Sequence, residues 1–232
     1  MIHRLPKRSC GSATWLLEMA TEFPEVEFYG IDISPIFPRE IKPPNTHFSI
    51  VDVVQGLPFP DDYFSFAQQR MFMPALRTSE WPSVMADIFR VVKPGGWIQL
   101  LEADPNIHNV PEEKMDFWNK FLEYRASVNE DHSTFRRLAK HLKRAGFQSV
   151  QRRYMSVPVG WNGPIGDLMR DVYLGYLLAY MPRSAAGMGL TEAEFERLTR
   201  EYISCCTEVE AYLNFHVLTG QKPEVEEANA RA

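Results

Sequence analysis

Asp32 sits in the stretch YGIDIS, 21 residues after Gly11 of the stretch RSCGSATWLLEMA. A loop of small residues that opens a helix presents backbone N–H groups and the positive end of the helix dipole to a ligand. An acidic side chain about 20 residues further on, at the end of the following strand, can accept both hydroxyls of a ribose. Asp52 takes the same kind of position at the end of HFSIVD, where a carboxylate can accept a hydrogen bond from an adenine amino group. The chemistry on offer is recognition of a nucleoside whose further substituent lies over a helix N-terminus. Taken alone, each carboxylate also fits a turn: Asp32 as the cap of the short SPIF segment, Asp52 as an ordinary turn residue.

Such a site needs strands that end beside one another. The pattern predicts a helix from Ala13 to about Phe23, closed by Pro24, and a strand from Val26 to Asp32. HFSIVD and YFSFAQQ read as two more strands. A helix over Ser79 to Val91 with Ser79 as its N-cap follows, then the strand GGWIQLLEAD. Strands alternating with helices or short connectors predict a parallel, doubly wound α/β sheet. The second half is richer in helix, over Glu112 to Ser127, Asp131 to Ala145 with Gly146 as the residue after the helix, Asp167 to Met181 and Thr191 to Tyr212. The last of these opens on the capping pattern TEAE. Two late strands, FQSVQRRYMSVPV and AYLNFHVLTGQKP with Gly220 as a turn residue, predict an antiparallel pair at one edge of the sheet, with the helices between them as a cap. Residues 1–222 are expected to form one domain and residues 223–232 a polar tail.

The order of the segments is more specific than any one residue. CGSATW, GIDIS, SIVDVVQGLPFPDDYFSF and RVVKPGGWIQLLE follow one another at the spacing of class I S-adenosylmethionine-dependent methyltransferases, and the chain resembles that family from Cys10 to Glu102. CGSATWLLEMA with PFPDDYFSFAQQRMF is most similar to the fungal type related to secondary-metabolism regulators. The resemblance implies a Rossmann-like fold and S-adenosyl-L-methionine as cofactor. It places Gly11, Ser12 and Ala13 under the methionine moiety, Asp32 with Ile33 at the ribose, Asp52 and Val53 beside adenine, and Gln69 toward the methionine portion. KPGG, Lys93 to Gly96, is a structural turn: Pro94 stops the helix and the glycines admit positive φ.

Two departures stand beside the resemblance. Ser9 and Ala13 occupy positions where the family loop carries glycine. Ala13 is tolerable there only with negative φ. The stretch MIHRLPKRS lacks the apolar alternation of the strand that enters such a loop, so the first strand is expected to be missing from residues 1–232, and cofactor binding to be weak as a result.

Methyl transfer from a sulfonium asks the protein mainly to align donor and acceptor, so no particular catalytic residue is implied. A base helps where the acceptor carries a proton. Glu102, Asp104, His108 and His132 are the candidates by position, although His108 and His132 equally fit solvated loop residues. The motif NPPY of some amide- and base-methylating enzymes is absent. Tyr173, Tyr176, Tyr180 and Met181 in GDLMRDVYLGYLLAYMP fit either plain core packing or an apolar pocket wall, which points to a small-molecule acceptor.

A net charge of −5 and a pI near 5.7 supply no global attraction to nucleic acid or anionic lipid. No apolar run reaches the length of a membrane span and the first residues lack the apolar core of a signal peptide, so a cytoplasmic or nuclear setting is expected. Cys10, Cys205 and Cys206 form neither a disulfide framework nor a metal-binding spacing, and no metal is expected. The rival reading is a non-catalytic module that keeps the methyltransferase fold for regulation or protein interaction, motivated by the eroded loop. A nicotinamide-dependent oxidoreductase is disfavoured because no G-x-G-x-x-G occurs.

Overall fold

Leu16 and Ala20 lie one helical turn apart on α1 (Thr14–Glu22) and are its buried residues, packed with Phe37 and the partly buried Leu17, Phe28 and Phe48. The computed structural model describes residues 13–38, 40–130 and 132–224. Ser9, Cys10, Gly11 and Ser12, to which the sequence assigns the front of the loop, lie outside the described residues. After α1 comes β1 (Phe28–Asp32), paired in parallel with β2 (Thr46–Ile50) from Phe28↔Thr46 to Asp32↔Ile50. Asn45 fastens this pair to the helix, because its Nδ2 reaches the carbonyls of Ala20, Phe23 and Val26 at 3.1, 3.1 and 2.8 Å.

A second parallel pair joins β3 (Phe64–Arg70) to β4 (Val92–His108), connected through α2 (Trp81–Val91). The register passes from Phe64↔Val92 to Phe66↔Trp97, so KPGG is a bulge inside β4 where a turn ahead of the strand was expected. Gly95 has φ +75, whereas Gly96 is needed for space: a Cβ there would lie 2.8 Å from Lys93 O and 2.9 Å from Ser65 O. The N-cap of α2 is Glu80 and not Ser79; the Glu80 carboxylate accepts from the Arg77 N–H at 2.8 Å and so favours the turn one residue later.

The remaining elements are α3 (Asp116–Ser127), α4 (Leu138–Ala145), β5 (Gln148–Pro158), α5 (Pro164–Gly187), α6 (Glu192–Glu208) and β6 (Tyr212–Gln221). 3-10 segments of one turn over Glu112–Lys114 and two turns over His132–Arg137 stand where α3 and α4 were expected to begin. Gly146 ends α4 with φ +111, and Thr191 with Glu194 forms the expected capping box of α6. Gly220 lies inside β6, against the Phe147 side chain, and is not a turn residue.

Strand order is β3-β4-β6-β5 in one sheet and β1-β2 in the other. Lys222 exchanges backbone hydrogen bonds with Gly95 and Gly96, and Asn214 at the other end of β6 meets His108, so β6 runs antiparallel to β4. Ser156 pairs with Asn214, and Tyr154 lies against His216, so β5 is antiparallel to β6 and forms the outer strand. The chain divides into two compact units. The first contains the residues up to Glu102, Arg136–Arg153 and those from Val217; the second contains Ala103–Phe135 and Tyr154–His216. In the first, α2 and α4 pack together, with Trp81, Met85, Ile88, Leu138 and Leu142 buried. In the second, α3, α5 and α6 enclose an aromatic core of Phe117, Trp118, Phe121, Tyr173, Tyr180, Phe195 and Tyr202. Among the described residues no helix is long and apolar enough to cross a membrane.

Candidate functional site

In the first unit the sequence-assigned side chains lie where parallel strands end. Asp32 is the last residue of β1 and is buried; its Oδ1 accepts the Ser34 N–H at 2.7 Å, which is the turn-capping role. Ile33 follows it and is exposed. Asp52 stands two residues past β2 and caps a one-turn 3-10 helix, Val53–Gln55, by accepting the Val54 N–H at 3.1 Å. Val53 is buried. Gln69 is next to last in β3, only 1% exposed, and neither its Oε1 nor its Nε2 has a hydrogen-bond partner among the described residues. A buried amide oxygen without a donor is costly, and such a group commonly awaits a ligand or water.

Ala13 opens α1 with φ +54 and ψ +20, the left-handed region. The expectation that alanine avoids positive φ here is therefore overturned. The chain must turn sharply to start the helix, and Ala13 makes that turn without the freedom of glycine.

Glu102, a candidate base by sequence, is fully enclosed. Its Oε1 accepts the Phe72 N–H at 2.7 Å and its Oε2 the Met73 N–H at 3.1 Å, while the Gln69 amide lies against it. Burial pushes its carboxyl up to about 7 against the pull of the two main-chain donors. With both oxygens engaged, Glu102 holds main chain and is poorly placed to meet an acceptor.

The second unit contains a different titratable group. Asp104 Oδ2 lies 4.0 Å from His108 Nε2 and 4.0 Å from His216 Nε2, and Asp104 Oδ1 accepts from the Asn106 main-chain and side-chain N–H groups at 2.9 and 2.7 Å. Asn214 Nδ2 approaches His108 Nε2 at 2.9 Å, and the His108 ring stacks on Tyr212 with centroids 5.0 Å apart. The sequence reading named Asp104 and His108 but missed His216, which sits at an inward position of the alternating strand β6 over 100 residues away; only the strand pairing brings it there. His132 lies on the 3-10 segment ahead of α4. Tyr173 and Tyr180 are buried in the aromatic core of α3, α5 and α6, the packing role, and Tyr176 and Met181 are partly buried against it. Among the described residues no group of three or more His, Cys, Asp or Glu side chains is placed to hold a metal ion.

Residues 9–152, more than half of the chain, match the family model described as a methyltransferase domain. The N-methyltransferase gliN of Aspergillus fumigatus is 25% identical over 229 residues, covering 90% of this chain and 79% of that protein. The secondary metabolism regulator LAE1 of Cochliobolus heterostrophus is 26% identical over 245 residues, covering 93% and 75%. The N-methyltransferase verN of Clonostachys rogersoniana is 38% identical over 107 residues, but these cover only 44% of this chain and 37% of verN. Among solved structures, phosphoethanolamine N-methyltransferase 2 of Haemonchus contortus superposes with a TM-score of 0.57 at 15% identity, over 97% of this chain and 48% of that one. The [4+2]-cyclase SpnF gives 0.55 at 18%, over 96% and 74%.

Proposed function

The chain belongs to the class I S-adenosylmethionine-dependent methyltransferase family, and from that premise we propose that it methylates a nitrogen of a small molecule. The observation that supports the cofactor site is that Asp32, Asp52 and Gln69 each lie at or just past the C-terminal end of a strand of a parallel pair, the end at which an open α/β sheet binds its ligand. In this reading Asp32 accepts the ribose hydroxyls, Asp52 and Val53 flank adenine, and Ile33 covers the ribose from its exposed position. Gln69 fits the amino-acid end, since its unpartnered Oε1 suits an ammonium donor. Gly11 and Ser12 would complete the loop ahead of Ala13.

When bound, S-adenosylmethionine would supply a methyl group on a sulfonium for an acceptor nitrogen, with the neutral thioether as leaving group. What remains for the protein is to take the proton that an ammonium or N–H acceptor loses. Nitrogen is preferred as the acceptor because gliN and verN are both N-methyltransferases.

A second reading, a regulatory module with the same fold, is favoured by the match to LAE1 over 93% of this chain. Isothermal titration with S-adenosylmethionine, S-adenosylhomocysteine and NAD, followed by radiolabelled methyl transfer to small amines, separates the two. Binding of the first two ligands with label in an amine supports the enzyme. Binding without label in any acceptor favours the regulatory module, and binding of NAD alone overturns both.

A further inference from the structure

The turn after β3 is fastened from the neighbouring strand by three consecutive main-chain N–H groups. Met71 donates to Leu101 O at 2.8 Å, Phe72 to Glu102 Oε1 at 2.7 Å and Met73 to Glu102 Oε2 at 3.1 Å. The turn is a strained one, because Met71 has φ +51, a region that a long side chain rarely adopts. Phe72, at its centre, is completely buried. Glu102 itself is 1% exposed, and a carboxylate in that position costs more to bury than a neutral residue of similar volume. What the carboxylate offers in return is two acceptor atoms at fixed separation, matched to two successive N–H groups. The Gln69 amide, two residues ahead of Met71, lies against the same carboxylate.

We propose that Glu102 is a positioning residue for the amino-acid end of the cofactor: it clamps the Met71–Met73 turn, beside the Gln69 amide, in the arrangement that receives the methionine portion. The proposal rests on the S-adenosylmethionine site described above and adds a division of labour to it. Asp32 and Asp52 serve the nucleoside, and the Glu102 clamp serves the rest. A ligand with the amino-acid portion therefore depends on Glu102, and a ligand without it does not.

The pair S-adenosylhomocysteine and 5′-methylthioadenosine tests this, since both carry the nucleoside and only the first has the amino acid. In Glu102→Gln the shape is kept, but one head-group atom becomes a donor that faces an N–H donor, so one arm of the clamp is lost. The expected result is a loss of about tenfold in affinity for S-adenosylhomocysteine, the size of one charge-assisted hydrogen bond, with 5′-methylthioadenosine within about twofold of the wild-type value. An equal loss for both ligands, or no loss for either, overturns the proposal. Should Glu102→Gln fail to fold in a thermal melt, Glu102→Asp decides: it keeps the charge, is one methylene too short to reach both N–H groups, and is expected to show the same selectivity. Failure of both variants to fold makes Glu102 a residue of the fold alone and overturns the positioning role. If the wild-type chain binds neither ligand, the cofactor site itself is wrong and the proposal falls with it.

Discussion

Ala13 and Glu102 are the two residues at which the structure departs from what their types suggest. Alanine in the left-handed region costs roughly 1 kcal/mol relative to glycine, although glycine loses more chain entropy on folding and returns part of that gain. Ala13→Gly is expected to raise the melting temperature by about 2 °C, the shift of somewhat under 1 kcal/mol in a chain of this size. A lower melting temperature would mean that the Ala13 methyl, packed with Leu16 and Phe37, contributes more than the strain costs. Glu102 acts through pH. Its carboxyl is raised from 4.5 to about 7 in the folded chain, so the folded state holds the proton more tightly than the unfolded one. The resulting stabilisation is complete below about pH 4.5 and is lost as pH rises through 7, an effect on the order of 3 kcal/mol at most. Between about pH 5 and pH 8 the urea midpoint of the wild-type chain is expected to carry a falling contribution that is missing from Glu102→Gln. Identical pH profiles for the two chains would remove Glu102 as its source.

Among the elements, β1 is closely covered at Gly30. A Cβ added there would stand 2.6 Å from the Phe48 ring and 3.1 Å from Leu16 Cδ1, so the strand is covered by a ring of β2 on one hand and by α1 on the other. Gly30→Ala is expected to destabilise by about 1 to 3 kcal/mol, the usual range for overpacking, measured as a drop in the denaturant midpoint. An unchanged midpoint would show that Phe48 moves aside freely. The strands around Gly30 were legible in the sequence because they are short, apolar and punctuated by Pro, Asp and Asn. The strand ends that carry Asp32, Asp52 and Gln69 were legible for the same reason. The elements that exceed their apparent ends were not. α5 was expected to stop at Met181 because Pro182 follows, yet it runs to Gly187. Buried Ser184 and Ala185 continue its inner face beyond the proline, where proline alone would favour a break. β4 likewise starts at Val92, absorbing KPGG as a bulge, and the clamp on Met71–Met73 had no signal at all, since Glu102 is remote in sequence and acts on main chain.

At the scale of the whole molecule the sheet topology has a seam. Tyr29 on β1 hydrogen-bonds through its hydroxyl to Tyr63 at 2.9 Å and sits edge-on to Phe64, the first residue of β3, with Phe59 completing the group. Among the described residues no ladder joins β1 to β3. The aromatic group instead links the two parallel pairs through ring contacts and one hydroxyl–hydroxyl hydrogen bond, so side chains carry at this point what main-chain pairing carries within each pair.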